Sequence, residues 1–99
     1  MNETSLSPTD VAKALSGLSD WQLSRDTKQI KRSWTFPGFA QAKKFVDRLA
    51  EYAESVDHHP DIHWSYTTVT VNLSTHTAGG VTEKDLAFAR AINDNISSA

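Results

Sequence analysis

Between Pro37-Gly38 and His59-Pro60 the apolar residues Phe39, Ala42, Phe45, Val46, Leu49, Ala53 and Val56 recur at three-and-four spacing. That period places them on one face of an α-helix of about five turns. The helix must finish by His59, because proline pushes the residue before it out of the helical region. On both sides of this helix the period changes to two. Before it, Trp21 and Leu23 alternate with Gln22 and Ser24; after a polar turn at Asp26-Thr27-Lys28, Ile30, Trp34 and Phe36 alternate with Lys31, Ser33 and Thr35. After it, Ile62, Trp64 and Tyr66 share one strand face, and Val69, Val71 and Leu73 share one face of the next strand, with Thr70, Asn72 and Ser74 opposite. These patterns describe two hairpins, each with one wet face. Arg32 interrupts the apolar side of the first hairpin and is expected near an edge.

A short helix precedes the first hairpin. Ser7 can cap its free amides, Pro8 suits its first turn, Asp10 complements its dipole, and Val11, Ala14, Leu15 and Leu18 form its apolar face before Gly17 stops it. After the second hairpin, Gly79-Gly80 breaks the chain and Thr82-Glu83-Lys84-Asp85 resembles a capping box, opening a helix with Phe88, Ala89, Ile92 and Ile96 inward. The element order is α-β-β-α-β-β-α. Two hairpins polar on one face predict an α+β fold, a two-layer sandwich in which a four-stranded antiparallel sheet carries three helices on one face. Ninety-nine residues suffice for one hydrophobic core and not two, so residues 1–99 are read as a single domain.

The absence of cysteine excludes a disulfide scaffold, a thiolate zinc finger and a cysteine nucleophile, and agrees with a cytoplasmic location. A net charge of −2 is the opposite of the footprint of a phosphate-backbone binder, so no direct nucleic-acid partner is expected. Apolar runs are far too short for a membrane span, and the N-terminus has no basic residue ahead of an apolar stretch, so neither membrane insertion nor secretion is expected.

All four histidines, His58, His59, His63 and His76, fall within one fifth of the chain. His58 and His59 stand where the long helix ends, His76 where the last strand ends, and Asp85 where the final helix begins, and element ends can converge on one cleft. Glu54 precedes His58 by four residues, which on a helix would bring its carboxylate to the imidazole, orient the ring and raise its basicity. The plainer reading is that imidazoles near a helix C-terminus complement the dipole and that His-Pro is a stop signal. Asp57 and Asp61 add acidic side chains that could join a zinc or nickel site. The His-x3-His pair that usually supplies two ligands from one helix is missing, however, and no metal is expected.

Glu54, three residues, His58-His59-Pro60, five residues, Tyr66, nine residues, His76, eight residues and Asp85 together resemble the signature of the pterin-4a-carbinolamine dehydratase family. The likeness extends to Trp21, to Phe36-Pro37-Gly38-Phe39, to Leu73-Ser74-Thr75-His76 and to Gly80 before Thr82-Glu83-Lys84-Asp85. It implies the same sheet with three helices on one side, and dehydration of 4a-hydroxytetrahydrobiopterin to quinonoid dihydrobiopterin after aromatic amino-acid hydroxylases have consumed the tetrahydropterin. No metal or organic cofactor is implied.

By the resemblance, His58 is a principal acid/base residue oriented by Glu54, His76 serves from the other side, and His59 mainly binds substrate. Pro60, Thr75, Thr77, Ala78 and Asp85 belong to the pterin site, and Trp21 offers a stacking face or, alternatively, is a half-buried core aromatic. His63 lies outside the signature and reads as a strand surface residue. The resemblance also implies a homodimer or homotetramer, joined edge to edge through the sheets. Some relatives of this fold act instead as binding or assembly modules, so a non-catalytic role on the same fold is the alternative.

Overall fold

The computed structural model describes residues 4–96. Ser7 Oγ accepts from the amide of Asp10 at 3.1 Å and starts α1 (Pro8–Leu15), with Pro8 in its first turn. The helix ends two residues before Gly17, and Leu18 reaches the core from beyond it. Next come β1 (Gln22–Leu23), β2 (Ile30–Thr35) and the long helix α2 (Phe39–Val56). The second hairpin is β3 (Asp61–Ser65) and β4 (Thr68–Leu73), and the last helix is α3 (Glu83–Ala91), continued by one wide π turn at Ile92–Ile96.

All strand pairs are antiparallel, in the order β1-β2-β4-β3. Trp34 and Trp64 both face Val69, Arg32 and Ile62 both face Val71, and Ile30 faces Leu73. This register collects the apolar residues on one sheet face, since neighbouring side chains in a strand alternate. Ala42, Phe45, Leu49 and Ala53 of α2, Leu86, Phe88 and Ala89 of α3, and Val11 of α1 join that face in a single core. Lys31, Ser33, Thr35, His63, Thr68, Thr70 and Asn72 occupy the other face, where Ser33 and Thr70 hydroxyls pair at 2.7 Å. The fold is α+β, with three helices and a four-stranded antiparallel sheet.

Three expectations change. Phe39 and Val56, at the two ends of α2, stay 52% and 44% exposed, because the sheet is shorter than the helix and covers only its middle. Tyr66 leaves its strand: Ser65 pairs with Thr68, so Tyr66 sits in a two-residue turn with φ 51° and is 73% exposed. Trp21 is buried at 4% exposure, its ring edge-on to Trp34 and its Nε1 donating to Asn93 Oδ1 at 2.9 Å. With its faces packed and its only donor used, it offers no stacking surface. Arg32 does lie at an edge. β1 pairs only with Ile30 and Lys31, and the guanidinium just past it donates to Asn93 Oδ1 at 2.7 Å and lies over Trp34 at 4.6 Å. Asn93 belongs to the π turn, which thereby ties the chain's end to β2.

Candidate active site

α2 stops because Asp57 adopts the left-handed conformation, φ 52° and ψ 45°, and the amides of Asp57 and His58 both return to Ala53 O. His58 therefore stands outside the helix, and the i,i+4 relation to Glu54 does not apply to it. This corrects the expected pairing. Glu54 Oε2 meets Nε2 of His59 at 2.5 Å, whereas Nε2 of His58 meets Asp85 Oδ1 at 2.6 Å. The two pairs differ in setting. His59 and Glu54 side chains are 55% and 78% exposed, while those of His58 and Asp85 are 13% and 0% exposed.

Asp85 occupies the third position of α3 and closes the capping box foreseen there: its Oδ2 accepts from the amide of Thr82 at 2.9 Å while the Thr82 side chain accepts from the helix amides. The same oxygen accepts from Thr75 Oγ1 at 2.9 Å, and Thr75 and Thr82 hydroxyls lie 2.8 Å apart. A buried carboxylate is costly without partners, and here every contact is a hydrogen-bond donor. With Asp85 accepting throughout, Nε2–H of His58 donates to it, and Nδ1 is the ring atom left for other chemistry. Asp85 is fully buried and stands behind His58, its side chain meeting the imidazole, Thr75 and Thr82.

Thr75 links this network to His76. Beyond β4, Thr75 and Gly80 pair as an antiparallel bridge, Thr75 N donating to Gly80 O at 2.8 Å, and close a tight loop. His76–Ala78 forms one 3-10 turn within it, and Gly79 at φ 72° reverses the chain where a side chain would be strained. His76 and Thr77 are exposed, Ala78 and Pro60 half-buried, Thr75 buried. His76 lines a cleft of about 240 Å3 with Ser74, Thr75, Gly79, Gly80 and the hairpin residues Asp26, Lys28 and Gln29. His58 lines a second, smaller one of about 150 Å3 with Tyr52, Val56, Lys84, Ala87 and Phe88, its ring edge-on to Phe88 at 6.2 Å.

The two imidazoles are thus joined by Asp85 and Thr75 rather than by contact. Among the described residues no three His, Cys, Asp or Glu side chains group as a metal site, and no helix is long and apolar enough to cross a membrane. Sequence reasoning missed Tyr52, Phe88, Lys84 and the Asp26–Gln29 loop. Phe88 reads as an ordinary inward helix position, Tyr52 stands outside the apolar set of the long helix, and the loop reads as a turn. Thr82 was visible in the capping box, but not its bond to Thr75.

A small α+β domain with imidazoles at its strand and helix ends, one of them backed by a buried carboxylate, is the setting in which the comparisons with known proteins place a pterin dehydratase. The chain belongs to this family: residues 4–95 match the profile described as Pterin 4 alpha carbinolamine dehydratase. A protein of Mesorhizobium japonicum, named provisionally as a pterin-4-alpha-carbinolamine dehydratase, is 46% identical over 94% of this chain and 95% of its own. One of Gloeobacter violaceus, with a similar provisional name, is 47% identical over 88% and 97%. The crystal structure of a transcriptional coactivator/pterin dehydratase from Brucella melitensis superposes with TM-score 0.87 at 39% identity, covering 91% of this chain and 96% of that one. A pterin dehydratase-like protein described as a RuBisCO assembly factor of the alpha-carboxysome is more distant, with TM-score 0.64, 28% identity and coverage of 75% and 86%.

Proposed function

We propose that this protein is a 4a-hydroxytetrahydrobiopterin dehydratase, eliminating water from the pterin-4a-carbinolamine to give quinonoid dihydrobiopterin in the cytoplasm, as a step of tetrahydrobiopterin recycling after an aromatic amino-acid hydroxylase. The observation that carries it is the His58–Asp85–Thr75 network, which fixes one imidazole and abuts a second, His76, in a member of the dehydratase family. Asp85 also caps α3, but a pure binding surface has no chemical need to seat an imidazole on that buried carboxylate.

The reaction requires one proton delivered to the departing 4a-hydroxyl and one taken from a ring nitrogen. The nitrogen lone pair next to C4a expels hydroxide, so neither a metal nor an organic cofactor is needed for the electron movement. Imidazole titrates near neutrality and can serve either task, whereas an ordinary lysine or aspartate would need a large shift. In this reading His58, held by Asp85 through Nε2, exchanges its proton at Nδ1. His76, on the exposed loop, serves the opposite transfer. His59, held by Glu54 at the surface, together with Pro60, Thr77 and Ala78, positions the pterin.

The test is to add the purified protein to freshly generated 4a-carbinolamine and follow the ultraviolet change to the quinonoid product. Acceleration over the spontaneous rate is expected, and it should persist in EDTA because imidazole protons do the work. Loss of activity on chelation, restored by zinc, would overturn the metal-free route.

A second reading, a protein-binding module on the same fold, draws on one feature. Phe39, Trp64 and Tyr66 form an exposed stack, with Phe39 4.9 Å from Trp64 and 6.4 Å from Tyr66, beside the unpaired edge of β3. We assign that surface to self-association into a homodimer or homotetramer, compatible with catalysis.

A further inference from the structure

The cleft beside His76 has a wall that the dehydration chemistry leaves without a task. Asp26, Lys28 and Gln29, from the loop between β1 and β2, line it together with Ser74, Thr75, His76, Gly79 and Gly80. This loop is closely built. Ser24 Oγ donates to Asp26 Oδ1 at 2.6 Å, the amide of Lys28 donates to the same oxygen at 3.0 Å, and the amide of Gln29 donates to Ser24 Oγ at 3.1 Å. Thr27, with φ 62°, completes the reversal. The Ser24 hydroxyl first, and the Lys28 amide next, hold the Asp26 carboxyl below the usual carboxylate range. Both of these donors reach Oδ1, and Oδ2 accepts no hydrogen bond from another described residue.

A 2-amino-4-oxopteridine carries N3–H and the 2-amino group side by side, two donors spaced like the two oxygens of a carboxylate, with an acceptor, O4, next to them. A wall of one carboxylate, one ammonium and one amide matches that edge. We propose that Asp26 is a specificity-determining residue of the site, its Oδ2 receiving the 2-amino donor of the substrate's pyrimidine ring while Lys28 or Gln29 donates to O4. The pyrimidine half then occupies the hairpin side of the cleft and the reacting C4a half lies toward His76. The proposal rests on the dehydratase reading and adds to it the group that selects a 2-aminopteridine over analogues lacking the amine.

The experiment is a binding comparison that needs no turnover. A stable 2-amino-4-oxopteridine and its 2-desamino analogue are titrated into the wild-type protein and Asp26→Asn, which retains an acceptor oxygen for Ser24 and Lys28. Wild type is expected to favour the 2-amino ligand by about threefold to tenfold, the range for a hydrogen bond to a solvent-exposed partner, and the variant should lose most of that preference. A merely structural role would weaken both ligands together and leave the ratio unchanged, which overturns the proposal. Equal affinity of the wild type for the two pteridines overturns it without any variant. Failure of the dehydratase reading shows separately, as a wild-type protein that does not accelerate carbinolamine breakdown.

Discussion

At the scale of single residues, the proposed chemistry and the architecture meet in Asp85. It caps α3, fills the buried space between Thr75 and Thr82, and receives His58, so one carboxylate sets both the helix start and the imidazole tautomer. Asp85→Asn keeps the shape but presents an amide to groups that include three donors, so one of them loses its acceptor. A stability loss of about 1–3 kcal/mol is expected from thermal or urea unfolding. The same variant should lower kcat more than it changes KM, because it acts through the orientation of His58 and not on the ligand. A raised KM with kcat unchanged would instead assign Asp85 to binding. His58→Ala and His76→Ala should each reduce kcat, within a ceiling of about 100- to 10,000-fold for a lost general acid or base. Spontaneous water loss from the carbinolamine compresses that range. His59→Ala should raise KM more than it lowers kcat. The double variant His58→Ala/His76→Ala, still folded by circular dichroism, should approach the uncatalysed rate; wild-type turnover there would move the acid/base role elsewhere.

At the scale of elements, the chain order was readable because its apolar period switches between two and 3.6, and the capping residues Ser7 and Thr82 stand where those switches occur. The detail of who meets whom was not. Glu54 and His58 have helical spacing in sequence, yet the left-handed Asp57 between them turns the backbone, so His59 takes the glutamate and His58 is released toward α3. A single dihedral decided which carboxylate serves which imidazole, and local periodicity carries no record of it. Trp21 was ambiguous for a related reason: its burial depends on Asn93, 72 residues away, reaching back from a π turn. Asp57 itself yields a prediction. A left-handed aspartate carries backbone strain, and its charge opposes the carbonyl end of α2. Asp57→Gly should therefore stabilise the fold by about 0.5–1 kcal/mol, less the added entropy of the unfolded glycine, raising Tm by about 2–8 °C. A lower Tm in differential scanning calorimetry would show that the Asp57 side chain contributes more than its strain costs.

At the scale of the whole molecule, the sheet ends in a strand with one open edge. Among the described residues β3 bonds only to β4, and its outer backbone groups face away from the rest of the sheet. Proteins usually blunt such an edge with charge, proline or a covering element. Here the neighbouring surface is instead an aromatic stack, with Phe39, Trp64 and Tyr66 at 52%, 38% and 73% exposure. Trp64 even spends its Nε1 on the carbonyl of Tyr66 at 2.7 Å, which makes the exposed ring surface more apolar. The opposite sheet face, lined by Lys31, Ser33, Thr35, His63, Thr68 and Thr70, is polar and has no such reason to be covered. A two-fold pairing of β3 with its copy would satisfy both backbones and bring the stacks together in one self-complementary patch. Sedimentation at micromolar concentration should therefore give a dimer or tetramer of the 11.0 kDa chain. Phe39→Asp, a change at an exposed helix end that leaves the core intact, should weaken association by about tenfold or more, as removal of an aromatic anchor does. An 11 kDa monomer for the wild type, or an assembly indifferent to Phe39→Asp, would leave the stack to some other partner and the edge of β3 open.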